Sequence, residues 1–247
     1  MSRPDALAVK RTMEAIELLA FQPLSAPQVA TAMRIHPRTA RRLLNRLREE
    51  GYLSRSDDGQ RLYSPTLRVV SLAGQIAARN RLVELAPDFI VRLAERTETH
   101  AQLSIPSYGS VLVVLDAHAG AAATPRASQL LPPHCTAGGK ALLAWRHAWR
   151  DGLLRAPLRA FTDRTVTDPA ALSAETERIR RQGYATEEDE FRRGRRAAAA
   201  PVFLPDGDPM ATVSATATEG DRSIPELVPA VVELAAAFTR RLEAQDA

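Results

Sequence analysis

The chain has 247 residues, 45% hydrophobic and 25% charged, which suits one large or two smaller packed domains and excludes wholesale disorder. The net charge of +4 is unevenly spread: residues 1–82 carry 14 Arg or Lys against 7 Asp or Glu, and the remaining 165 carry 19 against 22. A single cysteine (Cys135), an opening without a secretory signal, and no aliphatic run longer than Val111 to Leu115 exclude a disulfide framework, a multi-cysteine zinc site and a membrane span.

The expectation is a soluble, cytoplasmic protein with a basic head suited to nucleic acid and a body with another task. Because 31 of the 33 basic residues are arginine, in an alanine-rich chain where codon bias contributes, the position of each arginine informs more than their abundance.

In chain order, residues 6–21 read as a helix, with Val9, Met13, Ile16 and Ala20 on one face and Leu19 beside them. Gln22-Pro23 stops it. Ser25 caps a second helix with Pro27 in its first turn and Val29, Ala30 and Met33 as its inner side. After the turn Arg34-Ile35-His36, Pro37 opens a third helix to about Glu50. Ala40, Leu43, Leu44 and Leu47 form its apolar stripe, and Gly51 ends it. Residues 52–55 and 61–63 read as the two strands of a hairpin around Asp58-Gly59. Three helices and a hairpin make a winged helix-turn-helix. Residues 66–80 read as an amphipathic linker helix with a domain boundary near residue 80.

The body begins with a helix over 82–97, then strands over 100–106 and 110–117 joined by a turn at Ser107-Tyr108-Gly109. An Ala/Pro/Ser stretch follows without regular structure. Residues 136–149 and 170–182 read as helices. Tyr184 to Glu187, Ala197 to Phe203 and Met210 to Ala217 read as strands, the last two joined at Asp206-Gly207. A helix over about 225–243 closes the chain. Strand pairs between helices imply an α+β domain with an antiparallel sheet.

The third helix carries the strongest functional signal. Opposite its apolar stripe stand Arg38, Thr39, Arg41, Arg42, Asn45 and Arg46. Arginines reach phosphate or fork onto guanine, and Thr or Asn can contact bases or phosphate. Arg55 and Arg61 of the hairpin are candidate wing contacts, opposed by Asp57 and Asp58 at its tip, which serve turn chemistry. In the body, His134 to Ala144 is a Gly-rich loop entering a helix, a place where backbone N–H groups receive an anion; a plain helix cap is the alternative. It is no phosphate-binding Walker loop, since Ala141 follows Lys140 and His134 stands where that motif has Gly. Adjacent His134 and Cys135 lack partners at ligand spacing and read as packing, so no metal or cofactor is expected. The acidic run 187–190 reads as a solvated loop, and no G-x-S-x-G or H-E-x-x-H frame is present.

These residues resemble the IclR family of bacterial transcriptional regulators. The resemblance covers nearly the whole chain: IHPRTARRLLNRLREEGYL and RLYSPTLRVVSLAG in the head, then LPPHCTAGGKALLAW, FTDRTVTDPAAL, IRRQGYATEEDEFRRGRRAAAAPVF and ATVSATATEGDR in the family's order. It implies an α+β architecture, a winged helix-turn-helix over 1–65 joined by a linker helix over 66–81 to a GAF-like or profilin-like antiparallel-sheet effector domain over 82–247. It implies double-stranded operator DNA as partner and a homodimer or homotetramer that represses or activates catabolic genes. Family effector contacts carry over to Thr136, Ala137, Gly138, Glu187, Ser214 and Thr216, with Leu131 in the apolar wall. Ala197 stands where relatives commonly have Cys, and Thr216 where they often have Ser.

The reading is therefore a ligand-responsive regulator whose body takes a small organic acid with an aromatic ring or a hydroxyl. Two alternatives stay open: a regulator whose body only oligomerises, and an enzyme with an auxiliary helix-turn-helix.

Overall fold

The computed structural model describes residues 3–77, 79–107, 109–204, 207–218 and 222–244. The chain divides into two compact units, 1–80 and 81–247.

In the first unit, α1 (Arg3–Phe21), α2 (Ala26–Ala32) and α3 (Pro37–Glu49) precede β1 (Leu53–Arg55), β2 (Tyr63–Pro65) and α4 (Leu67–Ala77). Ser25 and Gln28 close the start of α2, Ser25 N donating to Gln28 Oε1 at 2.8 Å. His36 caps α3 by accepting from Arg38 N through Nδ1. Gly51, at φ 79°, turns the chain out of α3 into the wing. The core joins Ala15 and Leu19 of α1 to Val29, Ala30, Ala40, Leu44, Leu47, Leu53 and Tyr63. Leu24 adds a bridge to the wing by exchanging both backbone hydrogen bonds with Tyr63.

Two readings of the head need correction. The second wing strand is Tyr63–Pro65 rather than 61–63. Ser56 and Asp58 organise a longer loop: Ser56 Oγ donates to Asp58 Oδ1 and accepts from Leu62 N, and Ser56 N donates to Leu62 O. Arg61 thereby falls in the loop, in the left-handed region at φ 52°. On α1 the packed residues are Ala15 and Leu19, whereas Val9 and Met13 are exposed. The helix is apolar on more than one side, and periodicity alone does not say which side meets the core. On α4, Leu67, Val70, Leu72 and Ile76 are also exposed. It ends at Ala77, and Ala78 of the expected 66–80 helix lies outside the described residues.

The second unit runs α5 (Arg81–Thr97), β3 (His100–Ser107), β4 (Ser110–Ala117), β5 (Thr124–Leu131), a 3-10 turn (Pro133–Cys135), α6 (Ala137–Leu143), α7 (His147–Leu153), α8 (Pro169–Gln182), β6 (Ala185–Glu188), β7 (Arg196–Phe203), β8 (Pro209–Ala217) and α9 (Ile224–Glu243). Among the described residues the strands form one antiparallel sheet in the order β5-β4-β3-β8-β7-β6. Side chains alternate across it. Ala101, Leu103, Ala198, Ala200, Ala211, Val213 and Ala215 meet α5 and α9, where Phe89 stacks on Phe238 at 4.5 Å. The opposite face carries α6, whose Ala137, Ala141 and Ala144 pack on Ala185, Ala197 and Ala199 with Ile179 of α8. The small side chains of β7 let helices approach both faces closely.

Strand β5 emerges from the stretch read as irregular, because β4 supplies a ladder that local composition does not announce. The helix expected over 136–149 is two, α6 and α7. The break falls at Arg146, whose guanidinium donates twice to Pro209 O, at 3.1 and 3.0 Å. The expected turn residues Tyr108 and Asp206 lie outside the described residues. No helix among them is long and apolar enough to cross a membrane. The architecture is α+β, a winged helix-turn-helix with an antiparallel-sheet domain.

Candidate functional site

The basic residues of the head form two adjoining hollows. Arg38, Arg41, Arg42, Asn45, Arg46 and Glu49 line a groove of about 500 Å³ along α3. Arg41 and Asn45 also line a cleft of about 430 Å³, together with Arg55, Gln60 and Arg61 of the wing, Ser25 at the start of α2, and Tyr63. The wing arginines thus converge with the third helix, although Arg61 is not on a strand. Thr39 lines neither hollow and is half-buried. Asn45 is held by the Tyr63 hydroxyl, which donates to its Oδ1 at 2.9 Å. Arg46 pairs with Glu49 at 3.7 Å and Glu50 at 3.0 Å. These are exposed pairs of small energetic weight that a phosphate can compete for. A concave, guanidinium-rich surface of this kind suits a polyanion.

In the body, the second face of the sheet is a buried polar pavement. Thr212, Ser214 and Thr216 alternate along β8, opposite Ser104, Gln102 and His100 of β3. On the other side Thr216 lies opposite Ala197, which in turn lies opposite Glu187. One row across the sheet therefore runs Glu187, Ala197, Thr216, His100. Gln102, Ser104, Thr212, Ser214, Thr216 and Glu187 are all buried.

Arg195 joins the ends of that row. Its Nε lies 3.1 Å from Glu187 Oε1 and 3.2 Å from Oε2, and its Nη2 donates to Thr216 Oγ1 at 3.4 Å. Glu187 Oε2 also accepts from Ala137 N at 3.4 Å. The first N–H of α6 is thus directed at the chain's own carboxylate, where the sequence reading placed a ligand's. Burial pushes the Glu187 carboxyl above its ordinary acidity range, opposed chiefly by Arg195.

The glycines of this loop have a steric cause. A Cβ on Gly139 would stand 2.4 Å from Cα and O of Pro133, and one on Gly138 would stand 3.0 Å from Thr212 Oγ1. Among the described residues that hydroxyl, buried beside Gly138, has no hydrogen-bond partner. Thr136 donates its hydroxyl to Pro132 O at 2.7 Å and so closes the loop. Leu131 packs with Val111, Val113 and Leu142, an apolar cluster of its own.

Lys140 has a structural task. Fully buried, it donates to Glu175 Oε1 at 2.8 Å and Glu190 Oε1 at 2.5 Å, tying α6 to α8 and to the turn after β6. Burial raises the Glu190 carboxyl, opposed by Lys140. The Cys135 thiol is pushed up to about 12, by burial first and then by Glu187 and Glu190, so it stays neutral and unreactive. His134 binds Arg159 O at 2.9 Å through Nε2.

Sequence reasoning passed over Arg195, Thr212, Gln102 and Ser104. Thr212 continues the alternation of Ser214 and Thr216 and was legible as such. Arg195 sits in an arginine-rich turn where nothing local singles it out.

The family model described as bacterial transcriptional regulator IclR C-terminal matches residues 74–240. The chain is 32% identical over 242 residues to the HTH-type transcriptional regulator BhcR of Paracoccus denitrificans, covering 92% of this chain and 84% of that protein. It is 31% identical over 216 residues to the uncharacterized HTH-type transcriptional regulator RhmR of Escherichia coli, covering 85% and 82%. The crystal structure of an IclR homolog from Microbacterium hydrocarbonoxydans complexed with 4-hydroxybenzoate superimposes with a TM-score of 0.80 at 24% identity, covering 96% of this chain and 99% of that one. These relatives are regulators rather than enzymes, and by the family match and the relatives' identity the chain belongs to the IclR family of bacterial transcriptional regulators.

Proposed function

We propose that this chain is a ligand-responsive repressor or dual regulator of a catabolic operon, working in the cytoplasm where its operator lies. The convergence of Arg41, Asn45, Arg55 and Arg61 on one cleft beside the groove of α3 carries the DNA reading. Arg38, Thr39, Arg42 and Arg46 extend that face. In this reading residues 1–65 bind DNA, 66–81 link, and 82–247 receive the effector. The exposed Leu67, Val70, Leu72 and Ile76 of α4, with Val9 and Met13 of α1, support self-association, since exposed apolar side chains grouped on a helix favour burial. A homodimer pairs with a pseudo-palindromic operator, and a homotetramer is a pair of such dimers.

The effector is a small organic acid with an aromatic ring or a hydroxyl. Thr136, Ala137, Gly138, Glu187, Ser214 and Thr216 border the polar face, and Leu131 belongs to the apolar cluster on the same side of the sheet. The orphaned Thr212 hydroxyl and the Arg195 guanidinium support an oxygen-rich ligand, because both gain by meeting a carboxylate. The relative that holds 4-hydroxybenzoate supports the same class. Such a ligand changes DNA affinity only if it binds one arrangement of the oligomer better than the other.

The test is fluorescence anisotropy of the full chain on DNA flanking its own gene, with and without a panel of hydroxylated and aromatic acids. Specific binding that an acid shifts supports the reading. Binding no tighter than to random DNA overturns it. One observation favours a body that only oligomerises: Arg195 already bonds to Glu187 Oε2 and to Thr216 Oγ1. Specific DNA binding indifferent to every acid selects that reading.

A further inference from the structure

A second cluster begins where the polar row of the sheet ends, at His100. His100 opens β3, Asp116 lies near the end of β4, and His118 is the second residue after it in the chain. Asp116 pairs with Gln102, two residues after His100, so strand alternation turns His100 and Asp116 to one face. One donor atom from each of His100, Asp116 and His118 lies within 4.8 Å of the other two. His100 Nδ1 is 3.9 Å from Asp116 Oδ1, and the two imidazole rings meet edge-on with centroids 3.7 Å apart. Asp116 is 4% exposed, while both histidines are exposed. The carboxylate is a fixed floor and the imidazoles an adjustable rim open to solvent.

We propose that His100, Asp116 and His118 bind a divalent first-row transition ion, zinc foremost. Two imidazoles and a carboxylate are the donor set for such ions, whereas magnesium and calcium call for oxygen throughout. Tetrahedral zinc with bonds of about 2.0–2.1 Å sets its ligand atoms about 3.3–3.4 Å apart. The 3.9 Å separation of His100 from Asp116 therefore closes by rotating an exposed imidazole, without moving the sheet.

Three protein donors leave a fourth position for water. His100 lies opposite Thr216, to which Arg195 donates. The open position therefore adjoins the polar face assigned above to the acid, and on that reading a bound carboxylate or hydroxyl replaces the water. Metal binding by the three side chains does not depend on the acid.

The experiment uses the full chain, stripped of metal by chelation. Zinc is titrated against a competing chromogenic chelator, and cobalt(II) is added separately to read the visible absorption of a four-coordinate complex. The expected result is one ion per chain, with affinity falling at least about tenfold in His100→Ala and in His118→Ala. Both side chains are exposed, so circular dichroism stays as in the parent. Asp116→Asn is the third variant, and if it fails to fold the histidine variants still decide. The proposal is overturned if the parent takes up no zinc at micromolar concentration, or if the His100→Ala/His118→Ala double variant binds it as the parent does. Metal uptake is read without DNA or acid, so its failure and the failure of the effector reading are separate results.

Discussion

The hydroxyl of Tyr63 donates to Oδ1 of Asn45, joining the second wing strand to the basic face of α3. The Tyr63 ring is buried in the head core and its backbone pairs with Leu24, so the wing has little freedom at this point. Tyr63→Phe keeps the ring and removes the donor. We expect a loss of about 0.5–1.5 kcal/mol in the stability of the head, read by urea denaturation, with weaker operator binding as Asn45 is released. Unchanged stability and affinity would mean that the bond orders nothing.

Arg41 and Arg42 are exposed and lie in the groove of α3. Each replaced by Ala should lower the slope of log K against log salt by about one unit, with helix content unaltered. Arg46→Ala should cost less, because Arg46 must first leave Glu49 and Glu50. Titrations at several salt concentrations give the three slopes. An order in which Arg46 matters most would contradict this geometry.

Gly139→Ala sets a methyl group against Cα, C and O of Pro133, backbone atoms that cannot rotate away as a side chain can. Thermal unfolding of the body should fall by the equivalent of about 1–3 kcal/mol. Gly138→Ala meets a threonine side chain instead and should be milder. Equal melting temperatures for the two variants would remove the distinction.

Burial raises both Glu187 and Glu190 above the ordinary value of 4.5. Folding then favours their protonated forms, so these groups stabilise the fold fully below pH 4.5 and that contribution is lost as pH rises through the raised values. Glutamine mimics the protonated form at every pH. The melting temperature of Glu190→Gln relative to the parent should therefore move upward as pH rises above 4.5. A difference that stays flat with pH would show that this carboxyl titrates normally.

Ser214 and Thr216 share one face of β8 beside Arg195. If the acid sits there, Ser214→Ala/Thr216→Val should weaken it by roughly 0.5–1.5 kcal/mol for each hydroxyl lost, more where a ligand oxygen is left buried and unpaired. Calorimetry with hydroxylated aromatic acids reads this directly. Affinity identical to the parent's would remove this face from consideration.

The sequence by itself determined the elements whose signal is local. The stripe Ala40, Leu44 and Leu47 opposite Arg38, Arg41 and Arg42 marks α3, because a 3.6-residue period separates the two faces within a few turns. The alternation of Ser214 and Thr216 marks β8 in the same way. Tertiary structure decided what depends on residues far apart in the chain. Strand β5 exists because β4 offers it a partner, and α6 parts from α7 where Pro209 takes the Arg146 guanidinium. Val9 and Met13 are as apolar as the residues that pack, and they stay outside because α2, α3 and the wing assemble on the side of α1 that carries Ala15 and Leu19. The link from Glu187 through Arg195 to Thr216, and the meeting of His100 with Asp116 and His118, arise from strand order and register. Hydrophobic period encodes which face of a strand is buried. It does not encode which strands are neighbours, and that choice brings these side chains within reach of one another.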